Sequence, residues 1–341
     1  MTNEPILSIF VFEVKTPNIM EKLRFIDLFC GIGGFRIAMD DACKENNIIP
    51  ECVFSSDIDI HCQDSYEANF GHRPFGDITK IDEKDIPDHE ILFAGFPCQP
   101  FSIIGQRQGF NDIRGTLFFD IARIIKHKQP KAFVLENVKQ LVGHDKGRTL
   151  KIIIQTLEDL GYNVHYTVLN ALDYGLPQKR ERVIIVGHKQ PIFFSFPSPI
   201  RPFKPLVDIL EKNVDKKHFA SDYIASKRKE KHQSAYKLSI WHENKSGNIC
   251  SYPYSCALRA GASYNYLLVN GERRLTPREM LRLQGFPDTY KIVVNDSQSR
   301  KQAGNAVPVN MVKAVILKLL PFVSTTLDMS TVLREYEENY G

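Results

Sequence analysis

Between residues 24 and 187 the chain alternates short β-branched or aromatic runs with amphipathic stretches of helix length, and this alternation limits the possible fold more than any other feature. The runs 24–29, 51–55, 90–93, 132–135, 165–169 and 182–186 are bounded by Gly, Pro, Asp or Asn and read as buried strands. Between them, 34–44, 60–69, 116–126 and 149–160 carry apolar residues at helical spacing. Strands buried on both faces and separated by helices predict an α/β fold with a doubly wound, mostly parallel sheet covered by helices on each side.

The texture changes after residue 187. Four prolines fall within 196–205, and 212–245 is strongly charged with no sustained period, so a second, smaller and irregular region is expected. Helical signals return at 276–284, where Pro277 suits a first helical turn, and at 309–320. The expected division is 1–195, 196–272 and 273–341. Charge follows it: the whole chain carries 44 Lys and Arg against 40 Asp and Glu, a net +4, yet 196–272 alone carries +5.

A chain that is 43% hydrophobic and 25% charged is neither a disordered tail, a collagen-like fibre nor a histone-like polycation. The longest mostly apolar stretches, 6–12 and 314–320, fall far short of the roughly 20 residues that span a bilayer, so a soluble, cytoplasmic protein is expected. Seven cysteines with no CxxC pair indicate neither a disulfide framework nor a zinc site, and no metal is expected.

Four constellations carry chemistry. The first strand runs through Asp27-Leu28-Phe29-Cys30 into Gly31-Ile32-Gly33-Gly34 and a helix, and Asp57 closes the second strand, where a ribose hydroxyl would be held. That turn could serve a nucleotide or simply pack the fold; Gly34-Phe35-Arg36 fits a dinucleotide oxidoreductase poorly. Gly95-Phe96-Pro97-Cys98-Gln99-Pro100 follows the 90–93 strand, which puts a thiol in the same crevice; Cys30, Cys43, Cys52 and Cys62 read instead as small buried hydrophobes. Glu136 emerges from an apolar strand and is either a proton donor or a cap or ion-pair partner. Arg180 and Arg182 alternate just before the 183–186 strand and could face one ligand.

The order of these pieces, FIDLFCGIGG, SSDID, FGDIT, GFPCQPFS, ENV and QKRER, then a variable basic region, RRLTPREMLRLQGFP and QAGNAVP, resembles the cytosine-C5 DNA methyltransferase family over 24–187 and about 272–315. The resemblance implies S-adenosyl-L-methionine as methyl donor. It puts Phe29 on the adenine and Gly31, Ile32, Gly33 and Gly34 along the cofactor turn. Asp57 takes the ribose hydroxyls, Ile58 and Ile78 flank the adenine, and Asp77 accepts from its amine. Pro97, Leu117 and Asn305 complete the pocket. Position 58 is Ile where many relatives have an aromatic.

The resemblance further implies that Cys98 adds to C6 of a flipped-out cytosine, that Glu136 binds N3 and the exocyclic amine, and that Arg182 holds O2, with Arg180 supporting the pocket. The loop through 106–110 would close over the base, hinged at Gly105 and Gly109. The region 196–272 stands in the place of a target-recognition domain for double-stranded DNA, whose basic residues, 227–231 above all, suit phosphate contacts; 252–263 either reads bases or, through Tyr252, Tyr254 and Leu258, belongs to the small region's core. A monomer is expected, since a duplex can enter between the two regions without a partner subunit, and the implied setting is a restriction system whose endonuclease acts on the same site without being bound. The related tRNA-modifying branch carries a CFT tripeptide and a short variable region, neither of which occurs here. Amino-group methyltransferases and zinc deaminases need motifs this chain lacks.

Overall fold

The computed structural model describes residues 20–97, 117–200 and 202–327. Cys98, Gly105, Gly109 and the loop 106–110 lie outside the described residues.

The chain begins β1 (Lys22–Leu28), α1 (Gly34–Glu45), β2 (Ile49–Ser56), α2 (Ile60–Phe70), β3 (Ile91–Gly95), α3 (Leu117–Lys128), β4 (Ala132–Val138), α4 (Arg148–Asp159) and β5 (Asn163–Asn170). There follow β6 (Gln178–Lys179) and β7 (Glu181–His188). Six of these strands form one sheet in the order β2-β1-β3-β4-β7-β5, with β7 antiparallel to both of its neighbours. The expected α/β architecture is therefore present, including each strand and helix read from periodicity between 24 and 187, to within a few residues at the ends.

Strand side chains alternate between two cores, as a period of two requires. Phe25, Phe93, Val134, Ile184 and Val186 face the α1 side, where Phe93 stacks on Phe35 at 5.2 Å. Ile26, Leu92, Phe133, Leu135, Val183 and Ile185 face α3 and α4. Burying one such aromatic is worth about 2–3 kcal/mol. The sheet is consequently fixed in register, and so are the loops at its carboxyl edge.

The second region holds α5 (Asp222–Lys231), β8 (Ile240–Glu243), β9 (Ile249–Tyr252), β10 (Ser255–Cys256) and β11 (Leu267–Val269). β11, β8 and β9 make a small antiparallel sheet, whereas β10 pairs in parallel with β6 of the first region. The return comprises α6 (Pro277–Leu283), α7 (Asp296–Asn305) and α8 (Val309–Val323). α8 is strongly apolar, and ten of its side chains are buried in the α1-side core, which accounts for its composition.

The helix α5 has no counterpart in the expectation for 212–245, and the reason is physical. Its single buried side chain is Arg228, an ion, so there is no apolar stripe to betray a 3.6-residue period. Arg228 donates to Glu243 Oε2 at 2.6 Å and to the Asn265 carbonyl, Lys229 pairs with Glu272, and the Lys227 ammonium lies over the Tyr223 ring. Within the basic run 227–231, Arg228 and Lys229 thus bond to acceptors of the small region itself.

Candidate active site

The turn after β1 is shaped by backbone conformations that side chains normally avoid. Gly31 has φ +53° and Gly33 φ +81°, and Phe29 itself sits at φ +55°, which costs an L-residue roughly 1–2 kcal/mol. The Gly31 amide donates to Asp57 Oδ2 at 2.8 Å, and the Asp59 amide donates to Asp57 Oδ1 at 2.8 Å. Burial raises the Asp57 carboxyl above its usual range, and these two amides offset part of that. Each oxygen keeps a second lone pair for a ligand.

Beyond the turn lies a cavity of about 400 Å³ at the carboxyl edge of the sheet. Phe29, Gly31, Ile32, Gly34, Asp57, Ile58, Asp77, Ile78, Pro97, Leu117 and Asn305 line it, so the structure gathers onto one wall residues that the sequence scatters over more than 270 positions. Ile58 is 75% exposed and forms the rim. Asp77 caps a short turn, its Oδ1 accepting from the Thr79 amide at 3.1 Å and hydroxyl at 2.8 Å.

Gly33 belongs to the same turn. It does not line the cavity; a Cβ at this position would lie 2.3 Å from the Phe70 ring, and the residue serves close packing of the turn on α2. Cys30 and Cys62 do border the cavity, but burial pushes both thiols up, as it does those of Cys43 and Cys52. None of these four is a ready thiolate, in keeping with their reading as small hydrophobes.

Glu136 and Arg182 meet through strand register. Gly95 of β3 faces Glu136 of β4, and Arg182 of β7 is opposite Val138, one diagonal step from Glu136. Arg182 Nε lies 2.7 Å from Glu136 Oε1, with both side chains largely buried, and Arg182 borders the cavity. The two readings of Glu136 are therefore not exclusive: it is an ion-pair partner, and it also stands beside the crevice.

Arg180 also borders the cavity, in the supporting position that the resemblance implies. It is 1% exposed, and its guanidinium donates to the carbonyls of Leu258 (2.9 Å), Gly304 (3.0 Å) and Ala306 (2.9 Å). Burial and the like charge of Arg182 push it down to about 9, still charged at neutral pH.

Sequence reasoning gave Asn137 no role. Its buried side-chain amide donates to the Phe96 carbonyl at 2.9 Å, fixing the chain two residues before Cys98. The signal was present as a second polar residue following Glu136 in an otherwise apolar strand. In the 252–263 segment, Leu258 is core, and Tyr252 and Tyr254 stack on each other at 5.1 Å.

Comparison with known proteins bears on this arrangement. The C-5 cytosine-specific DNA methylase family matches residues 23–320. Type II methyltransferase M.NgoBI of Neisseria gonorrhoeae is 57% identical over 292 residues, covering 85% of this chain and 90% of the relative. M.HaeII of Haemophilus aegyptius is 52% identical over 316 residues, covering 92% and 96%. Among solved structures, S. pombe Dnmt2 methyltransferase shares the fold with a TM-score of 0.68 at 23% identity, over 87% of this chain and 98% of that one. Family match and high identity along nearly the whole chain place it: the protein belongs to the C-5 cytosine-specific DNA methylases.

Proposed function

We propose that this enzyme transfers a methyl group from S-adenosyl-L-methionine to C5 of a flipped-out cytosine in a specific duplex DNA sequence, through a covalent adduct of Cys98 at C6. The observation that carries the reading is the Glu136–Arg182 pair, held at 2.7 Å beside the cavity whose wall continues through Pro97.

The residues fit such a cofactor. The Asp57 carboxylate, oriented by two amides, would accept from a ribose diol, and Phe29, Ile78 and Leu117 offer apolar surface for an adenine. Asp77 and Asn305 would take polar groups at its ends. Bound there, the sulfonium supplies an electrophilic methyl group.

Cytosine C5 is a poor nucleophile, so the chain's own groups must enrich it. Addition of the Cys98 thiolate to C6 pushes electrons into the ring and makes C5 enamine-like. Glu136 would bind N3 and the exocyclic amine where charge accumulates, and Arg182 would hold O2 while keeping Glu136 in place. C5 would then attack that methyl group as its bond to the sulfonium sulfur breaks, leaving S-adenosylhomocysteine, and loss of the C5 proton with departure of the Cys98 sulfur would restore the aromatic ring. These atoms are unreachable in a stacked duplex, so the base is flipped at a cost of a few kcal/mol.

The region 196–272 would read the target as a recognition domain, with the enzyme acting as a cytoplasmic monomer. Its biological role would be to protect host DNA from a paired restriction endonuclease. Methylation of duplex DNA and tRNA side by side tests the substrate class, and bisulfite sequencing of DNA from an expressing host locates the target cytosine. Labelling of tRNA alone, or full turnover by Cys98→Ser, overturns the reading.

A further inference from the structure

Arg180 is a buried cation that no carboxylate among the described residues bonds. Its three acceptors are main-chain carbonyls from two distant segments: Leu258 in the second region, and Gly304 and Ala306 on either side of Asn305. Gly304, Asn305 and Ala306 all border the cavity. A guanidinium taken out of water beside Arg182 is expensive, and apolar replacements at such sites often do as well for stability alone. Its placement calls for another use.

Other contacts join the same segments. A Cβ on Gly304 would lie 2.4 Å from the Ala260 amide nitrogen, so the end of α7 touches the 258–260 backbone directly. Gln178 accepts from the Leu258 amide at 3.0 Å and donates to the Leu283 carbonyl at 2.9 Å. β10 pairs with β6 through Ser255 with Gln178 and Cys256 with Lys179. Two residues past Arg180, Arg182 holds Glu136.

We propose that Arg180 is a positioning residue that couples target recognition to the cofactor wall. The inference rests on the reading above, in which 196–272 meets the DNA. Any shift of 255–260 on engaging a target moves a carbonyl bonded to Arg180, and the same guanidinium holds the two carbonyls that flank Asn305. Cofactor and target then influence each other's affinity by one common factor, since coupling between two binding sites is reciprocal.

The test is a thermodynamic cycle on the full-length protein. Affinity for S-adenosylhomocysteine is measured by calorimetry with and without a duplex bearing the site found by bisulfite sequencing, for wild type, Arg180→Lys and Arg180→Met. The wild type should show a coupling factor of about fivefold or more. In both variants it should fall below about twofold. Arg180→Lys keeps the charge but cannot span three acceptors, so it remains informative where Arg180→Met fails to fold. A folded Arg180→Lys that retains the wild-type coupling, or that loses cofactor affinity with coupling intact, overturns the proposal. A wild-type factor of one overturns it as well. Methyl incorporation into the same duplex separates the two claims: none by the wild type sinks the activity and the coupling together, whereas full incorporation with unaltered coupling in the variants sinks the coupling alone.

Discussion

Arg182 Nε and Glu136 Oε1 stand 2.7 Å apart across the antiparallel pair β4–β7, a contact fixed by the register of the sheet rather than by any loop. Parallel strands bring Gly95 opposite Glu136, and the only β7 residue able to reach that carboxylate diagonally along the carboxyl edge is Arg182. The pair is thereby built on two neighbouring strands of the central sheet.

Glu136→Gln keeps the shape of that side chain and removes its charge. Turnover should fall by about 100- to 1,000-fold, the usual consequence of losing a group that stabilises developing charge. Affinity for S-adenosylhomocysteine should stay within about twofold, because Glu136 does not line the cavity wall. Stability should drop by up to about 3 kcal/mol as Arg182 loses its partner. Methyl incorporation and urea unfolding check both, and turnover within threefold of wild type removes Glu136 from the mechanism.

The two left-handed glycines of the turn should separate on substitution. Gly31 has open space where a Cβ would go, so Gly31→Ala should cost only about 1 kcal/mol of backbone strain, with its main effect on cofactor affinity. Gly33→Ala adds a collision with Phe70 and should destabilise by about 2–4 kcal/mol, with cofactor affinity following stability. Thermal unfolding with and without S-adenosylhomocysteine reports each effect; the same ranking for both readouts would remove the distinction.

The catalytic sheet was legible in the sequence because its strands are apolar on both faces and its helices carry apolar stripes; Phe93 and Ile153 lie where periodicity puts them. The cavity residues were legible from motif resemblance, and the fold brings eleven of the twelve together, Gly33 excepted. What was not legible depends on polar burial. α5 is anchored by Arg228, α7 buries Ser299, Gln302, Ala303 and Gly304, and Arg180 is surrounded by backbone carbonyls. Hydrophobic patterning has no signal for such elements, because their partners are ions and amides whose positions only tertiary structure sets.

The charge excess of 196–272 should weaken duplex binding as salt rises, with the contribution of each cation decided by its bonding. Arg228 is consumed internally, so Arg228→Ala should destabilise the protein by about 3 kcal/mol or more and leave the salt slope of the remaining folded protein unchanged. The exposed Lys231 is free to meet a phosphate, and Lys231→Gln should reduce the log–log salt slope by about one. Binding titrations at several salt concentrations decide, and a slope change in Arg228→Ala equal to that of Lys231→Gln would show that internal pairing does not govern the contribution.

Acid sensitivity should centre on His188. This ring is wholly buried, stacked on His165 at 5.4 Å and packed against Phe322 at 4.5 Å. Among the described residues neither of its nitrogens has a hydrogen-bond partner of good geometry, and the Gln190 main chain offsets burial only in part. Burial, reinforced by His165, lowers His188 from the usual 6.5 to about 4, so the folded state resists protonation while the unfolded chain accepts it. Above pH 6.5 both states are neutral and the residue adds no pH dependence. As pH falls from 6.5 toward 4 the unfolded state gains protons first, and stability should decline by an amount on the order of 2–3 kcal/mol. His188→Phe fills the same aromatic cluster without a titrating group, so it should abolish that part of the decline and match or exceed wild-type stability at pH 7. Urea unfolding of both proteins from pH 7 to pH 4 measures the difference; curves that stay parallel across this range place the acid sensitivity elsewhere.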